Sequence, residues 1–209
     1  VSAWVKLSGR WRAGGLRGLT DALVKRLLFE RWCSLVLTHD APLDPAEIVW
    51  PAGYRYAWYP SVAAMPEAER QLLQQQSAGM FLEDLQPADH LYGVWCGRDV
   101  ATYGAVMRQT PQIAVLGLPR SACLVGLCET VPAHWRRGLF SLALMQTVQT
   151  LRDQGQTEIY IEVAETNFPS LRGILKAGFQ HWARVDARIW FGLWVQRDGH
   201  WQRLRRGGG

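Results

Sequence analysis

The chain reads as an α/β domain built on a mixed sheet, and three observations predict it. A hairpin signal spans 91–107, with the turn Gly97-Arg98-Asp99 between two β-rich runs. A strand, a helix, a strand, a helix and closing strands then follow in that order between 122 and 196. Within them, Ile159, Ile161 and Val163 alternate with Glu158, Tyr160 and Glu162, the period of a half-buried strand. A strand, helix and strand in succession imply a parallel pair joined by a right-handed crossover.

Taken in order, the elements begin with Leu16, Leu19, Leu23 and Leu27, whose spacing predicts an amphipathic helix over roughly 16–30. Residues 1–31 carry seven basic groups against two acids. Such a helix either covers the domain's own core or lies on an anionic membrane face. Residues 32–38 are β-rich, 42–51 form a loop and 54–59 a strand. The polar, Gln-rich stretch 66–80 consists of good helix formers, and 122–131 is a long apolar strand. A helix over 139–154 carries Leu144, Met145, Val148 and Leu151 and stops before Gly155. A shorter one, 169–177, stops at Gly178, and 182–196 form one or two closing strands. The organisation expected is a basic N-terminal segment (1–31), one domain (32–196) and a basic, Gly-ended tail (197–209).

The chain has 209 residues, 48% of them hydrophobic, enough to bury a core without a disulfide or metal. Cys33, Cys96, Cys123 and Cys128 form no CxxC pair, and no His cluster has zinc spacing, so no metal site is read. Buried thiols in a reducing compartment are the natural inference, although an even count leaves disulfides open. The net charge of +5 suits an anionic partner without choosing which. Nucleic acid has only that charge behind it and is not expected. There is no apolar stretch of transmembrane length and no signal-peptide h-region. The expectation is a cytoplasmic protein; the helix over 16–30 is read first as covering the core, and a peripheral place at the inner face of a membrane through it is left open.

The chemistry concentrates in 123–179. Residues 127–140 read Leu-Cys-Glu-Thr-Val-Pro-Ala-His-Trp-Arg-Arg-Gly-Leu-Phe: a strand end, a short loop and a helix start near Gly138. A helix start offers free N–H groups and the positive end of its dipole, so anions bind there. Arg136 and Arg137 add charge-assisted contacts at that point. Taken alone, the same residues fit an ordinary strand-to-helix turn with solvated arginines. Neither the Gly-x-x-x-x-Gly-Lys-Ser/Thr loop nor Gly-x-Gly-x-x-Gly occurs, which argues against a P-loop ATPase and a Rossmann dehydrogenase. Downstream, Asn167 falls just past a strand end, where it or Ser170 can bond a ligand's amides or cap the next helix.

Together these two stretches resemble the GNAT superfamily of acyl-CoA-dependent N-acetyltransferases. Thr130-Val131-Pro132 matches that family's strand end, and Gly138 its first helix glycine. Asn167, Ser170, Gly178 and Phe179 match its second motif at the right spacing. The clear match covers about 122–180, with a looser one from about 54 to 195. The resemblance implies a mixed, mostly antiparallel sheet with a splayed central parallel pair, flanked by helices. It implies acetyl-CoA (or another acyl-CoA) as co-substrate, no metal, and a primary amine as acceptor. The pantetheine arm would bond the strand backbone at Cys128, Thr130 and Val131. The pyrophosphate would lie on Arg136, Arg137, Gly138, Leu139, Phe140 and Ser141, with Asn167 and Ser170 touching the pantetheine or phosphate side.

Three departures from the family pattern stand out. Trp135 occupies the usual Arg or Gln position, Phe140 the second small-residue position, and Ile174 the place of a tyrosine that protonates the leaving thiolate. For the base, Glu129 is the first choice; Glu162 and His134 are rivals, and the face Glu129 presents is left open. Cys128 as an acyl-carrying nucleophile has no His partner in a recognisable pattern. Tyr54, Tyr56, Trp58, Tyr59, Tyr92, Trp95 and Tyr103 would either floor an acceptor cleft or fill a core. The local wording resembles GNAT proteins of cell-surface polysaccharide or amino-sugar assembly. The alternatives are an acyltransferase fed by acyl carrier protein and a non-catalytic anion-binding or membrane-surface module.

Overall fold

The computed structural model describes residues 30–76, 82, 85–190, 194–197 and 200–203. The helix expected over 16–30 lies outside them, save that Glu30 is already in a strand. Among the described residues nine strands form one sheet: β1 (Glu30–Thr38), β2 (Tyr54–Tyr59), β3 (His90–Cys96), β4 (Asp99–Met107), β5 (Cys123–Thr130), β6 (Ile159–Ala164), β7 (Gln180–Trp190), β8 (Trp194–Arg197) and β9 (His200–Arg203). The helices are α1 (Glu67–Gln76), α2 (Pro111–Leu116), α3 (Leu139–Asp153) and α4 (Phe168–Lys176). The sheet order is β2-β3-β4-β5-β6-β1-β7-β8-β9. Every neighbouring pair is antiparallel except β5 and β6.

The parallel pair, the hairpin over β3 and β4, and α3 and α4 stand where the periodicity places them. Four features depart from the sequence reading or go beyond it. Residues 30 and 31 pair with β7 instead of ending a helix. The first strand lies between β6 and β7, deep in the sheet. The last strand, β9, uses residues from the segment read as a tail. The short α2 was absent from the reading, although Thr110 caps it and Gly117 ends it in a left-handed conformation.

Alternation along the strands divides the core. Cys123, Val125, Ile159 and Ile161 face α3 and α4, together with Tyr92, Val94 and Val106. Leu124 and Tyr160 face the other side, against α2, and Leu91, Trp95, Tyr103 and Ala105 pack with α1's Leu73 there. Along α3, Leu139, Ala143, Leu144, Val148 and Leu151 recur at helical spacing and are at most 1% exposed. Each leucine buried this way contributes roughly 1.5–3 kcal/mol.

Below the sheet, at the C-terminal ends of α3 and α4, His39 is 1% exposed. Its Nε2 meets the Ala177 carbonyl at 3.0 Å and its Nδ1 meets Arg152 at 3.1 Å. The contacts select the neutral tautomer, with Nε2–H donating and Nδ1 accepting from the guanidinium. Burial, then the Arg152 charge, hold its pKa below the usual 6.5. The two carbonyls it touches and Asp40 oppose this more weakly. A depressed histidine pKa means the folded state binds fewer protons than the unfolded one. Its stabilisation is therefore complete above pH 6.5 and is lost as pH falls through the lowered folded value. Urea midpoints between pH 7.5 and 5 are expected to fall more steeply for the wild type than for His39→Gln.

Candidate functional site

The two central strands pair only at Cys123–Ile159, Leu124–Tyr160 and Val125–Ile161. Beyond that point β5 continues along β4 as far as Thr130, and β6 continues along β1 as far as Ala164. No ladder joins them there, so the sheet opens into a gap at the C-terminal ends of the two strands. A bulge shapes its β5 edge. Tyr103 opposes Glu129 while Ala105 opposes Gly126, which leaves an extra residue on β5. Leu127 absorbs it at φ 53°, a left-handed conformation carried by a non-glycine residue.

Hydrogen bonds fix which peptide groups look into the gap. The Val131 N–H donates to the Ala101 carbonyl, and the Glu129 carbonyl accepts from Thr102 Oγ1 at 2.7 Å, so these groups point toward β4. Successive peptide groups alternate across a strand. The Cys128 carbonyl and both the N–H and carbonyl of Thr130 therefore face the gap. Of the three strand positions expected to hold a ligand arm, Cys128 and Thr130 lie on that edge. Val131 does not, because its N–H is bound to β4.

At the mouth of the gap the chain makes a 3-10 turn (Pro132–His134) and enters α3. Gly138 is the N-cap at φ 73°, with no side chain capping the helix. The left-handed backbone is where glycine is cheapest. Arg136, at φ 61°, is in the same region without that freedom. Arg136, Arg137 and Gly138 are exposed, as a cradle for an anion requires. Leu139, Phe140 and Ser141 offer only their backbone. Leu139 is buried, Phe140 packs over Gly173 of α4, and the Ser141 hydroxyl donates to the Gly173 carbonyl at 2.9 Å. Phe140 thus turns into the α3–α4 contact and leaves the turn open.

Glu129 faces the side away from α3, where its carboxylate accepts a hydrogen bond from the Tyr103 hydroxyl. Burial, then that carboxylate, hold the Tyr103 phenol well above its ordinary pKa, so it stays protonated and donates. Glu162 alternates with Ile161 and Val163 and faces the same side, accepting from Ser34 Oγ at 2.5 Å. Cys128 and Thr130 face α3. The Tyr92 hydroxyl donates to Cys128 Sγ at 3.1 Å, and burial pushes that thiol up to about 11. A thiol held protonated is a poor nucleophile. His134 is turned to the edge strand, its Nδ1 2.9 Å from the Tyr54 hydroxyl. Asn167 caps α4 through the Ser170 N–H at 3.3 Å. Ile174 is 1% exposed and carries no proton to give.

Sequence reasoning missed Tyr103 as the partner of Glu129, and no local signal marks the bulge. Tyr92, Trp95 and Tyr103 are at most 2% exposed, so they are core and not the floor of a cleft. Trp135 is 60% exposed, yet its indole N–H reaches back to the Thr130 carbonyl at 2.6 Å.

No family model matches the chain, and no curated sequence does. Solved structures do match in fold. A GCN5-related N-acetyltransferase-like protein from Streptococcus suis is similar at TM-score 0.53 and 11% identity, over 84% of this chain and 69% of that one. A protein assigned to the GNAT acetyltransferase family from Novosphingobium aromaticivorans is similar at TM-score 0.51 and 15% identity, over 74% of this chain and 62% of that one. A tandem GNAT protein of the clavulanic acid biosynthesis pathway follows at TM-score 0.50 and 15% identity, over 89% of this chain and 58% of that one. The chain thus spans less than two thirds of the length of two of these three. A gap between central parallel strands, opening beside an uncapped helix start, sits on an architecture shared with these proteins: the chain has the GNAT acetyltransferase fold.

Proposed function

We propose that the chain is an N-acyltransferase that moves an acetyl or other acyl group from acyl-CoA to a primary amine by direct attack. The observation that carries this reading is the end of β5–β6 pairing at Val125 and Ile161, beside the uncapped start of α3. A thioester arm with two amides fits an edge that offers the Cys128 carbonyl and both the N–H and the carbonyl of Thr130. The diphosphate would rest on the N–H groups from Arg137 onward and on the Arg136 and Arg137 side chains.

Glu129 is assigned as the base that keeps the attacking amine neutral. It lies on the face opposite α3, so amine and CoA would approach the gap from opposite sides. The Tyr103 hydrogen bond fixes the carboxylate's orientation. In the step itself, the amine nitrogen bonds to the acyl carbon, the C–S bond breaks, and Glu129 takes the ammonium proton. The thiolate then draws its proton from solvent, because Ile174 cannot supply one. An amino sugar is the acceptor class we favour, on the resemblance of the two motifs alone.

The test is calorimetric titration with acetyl-CoA, followed by thiol release against a panel of primary amines that includes amino sugars. We expect micromolar or tighter binding and amine-dependent release of CoA thiol. Absence of CoA binding at millimolar concentration would overturn the reading.

A further inference from the structure

Trp135 stands on the β5 edge that the thioester arm would use. The Thr130 carbonyl points into the gap, where no β6 residue reaches it, and the Trp135 indole N–H donates to it at 2.6 Å. An N–H on a strand-edge carbonyl is the contact an incoming amide would make. The indole therefore acts as a surrogate for the missing neighbour strand. At 60% exposure its ring has little packing to hold it there. The next residue, Arg136, is held at φ 61°, a conformation unfavourable for a side chain larger than glycine. The turn's backbone is kept by the His134 N–H on the Val131 carbonyl and the Trp135 N–H on the Pro132 carbonyl, whereas the indole itself is held by one hydrogen bond and can swing without breaking the turn.

From this geometry we infer that Trp135 is a retractable strap over the pantetheine site, competing with the arm for the Thr130 carbonyl. The inference rests on the acyltransferase reading and deepens it: the arm binds only after the indole has swung out. A two-state strap lowers apparent affinity by the fraction of molecules in which it is closed. One neutral hydrogen bond makes a modest difference, about 3- to 10-fold in affinity. The strap would act on ligands that carry the amide arm and leave the phosphate end untouched.

The experiment compares wild type, Trp135→Phe and Trp135→Ala by calorimetry against CoA, pantetheine and adenosine bisphosphate. Phenylalanine keeps a ring and deletes the N–H; alanine deletes both. Because the side chain is exposed, both variants are expected to keep the wild-type melting temperature. The expected result is binding about 3- to 10-fold tighter for CoA and pantetheine in both variants, with adenosine bisphosphate unchanged. Equal or weaker CoA binding by Trp135→Phe overturns the strap and leaves the acyltransferase reading standing. A gain of the same size on adenosine bisphosphate also overturns it, since the tryptophan would then act on the phosphate turn. If none of the three proteins binds CoA, the acyltransferase reading falls and takes the strap with it.

Discussion

Replacing Arg136 and Arg137 together by glutamate is expected to weaken acetyl-CoA binding by at least 100-fold. Each arginine can make a charge-assisted hydrogen bond to the diphosphate, worth roughly 1.5–3 kcal/mol when well formed. Both are exposed, so solvent screens part of that. Reversal does more than delete the contacts. It brings two carboxylates against the phosphates and lowers the positive potential at the start of α3. Two lost contacts at the low end already amount to about 3 kcal/mol, a little over 100-fold. Calorimetry in low and moderate salt checks this, and the wild-type affinity should fall with salt while the variant's should not. Since neither side chain packs in the core, the melting temperature is expected to stay within a degree or two. Unchanged affinity would remove the phosphate turn from the account.

The second large effect is kinetic. Glu129→Gln keeps the size and hydrogen-bonding capacity of the side chain and removes its ability to take a proton. General-base catalysis contributes about 10²- to 10⁴-fold, so kcat is expected to drop at least 100-fold with CoA affinity unchanged. The glutamine oxygen still accepts from Tyr103. A loss of activity would therefore be chemical and not a local collapse. If Glu129→Gln is fully active and Glu162→Gln is not, the base belongs to β6, whose carboxylate faces the same side.

Which parts of the molecule the sequence discloses follows from the range of the interactions that determine them. Periodicity and capping act over a turn or a strand. The alternation of Ile159, Ile161 and Val163, the stop at Gly178 and the start at Gly138 were therefore readable. The parallel pair followed from chain order and handedness, because a helix between strands permits little else. The place of β1 depended on contacts with β6 and β7 far along the chain, which no window of residues contains. The bulge was hidden because Leu127 holds a left-handed conformation without the glycine that would have advertised it. The face of Glu129 depended on that bulge, since one extra residue reverses every side chain beyond it. Phe140 and Trp135 stood out as departures from the family pattern, but nothing local says where their side chains lie. Packing against Gly173 settled the first, and a single indole hydrogen bond set the second.

The position of β1 also orders events during synthesis. Ser34 pairs with Ala164 on one side and Val185 on the other, both translated well over a hundred residues later. The β1 segment must wait, unpaired and rich in exposed donors and acceptors, until the residues of β6 and β7 have left the ribosome. Its insertion joins the two halves of the sheet in one late, non-local step, the slow kind of assembly. A partly made chain would consequently expose a β-rich flank to other nascent chains, and holding that flank apart is a natural task for a chaperone.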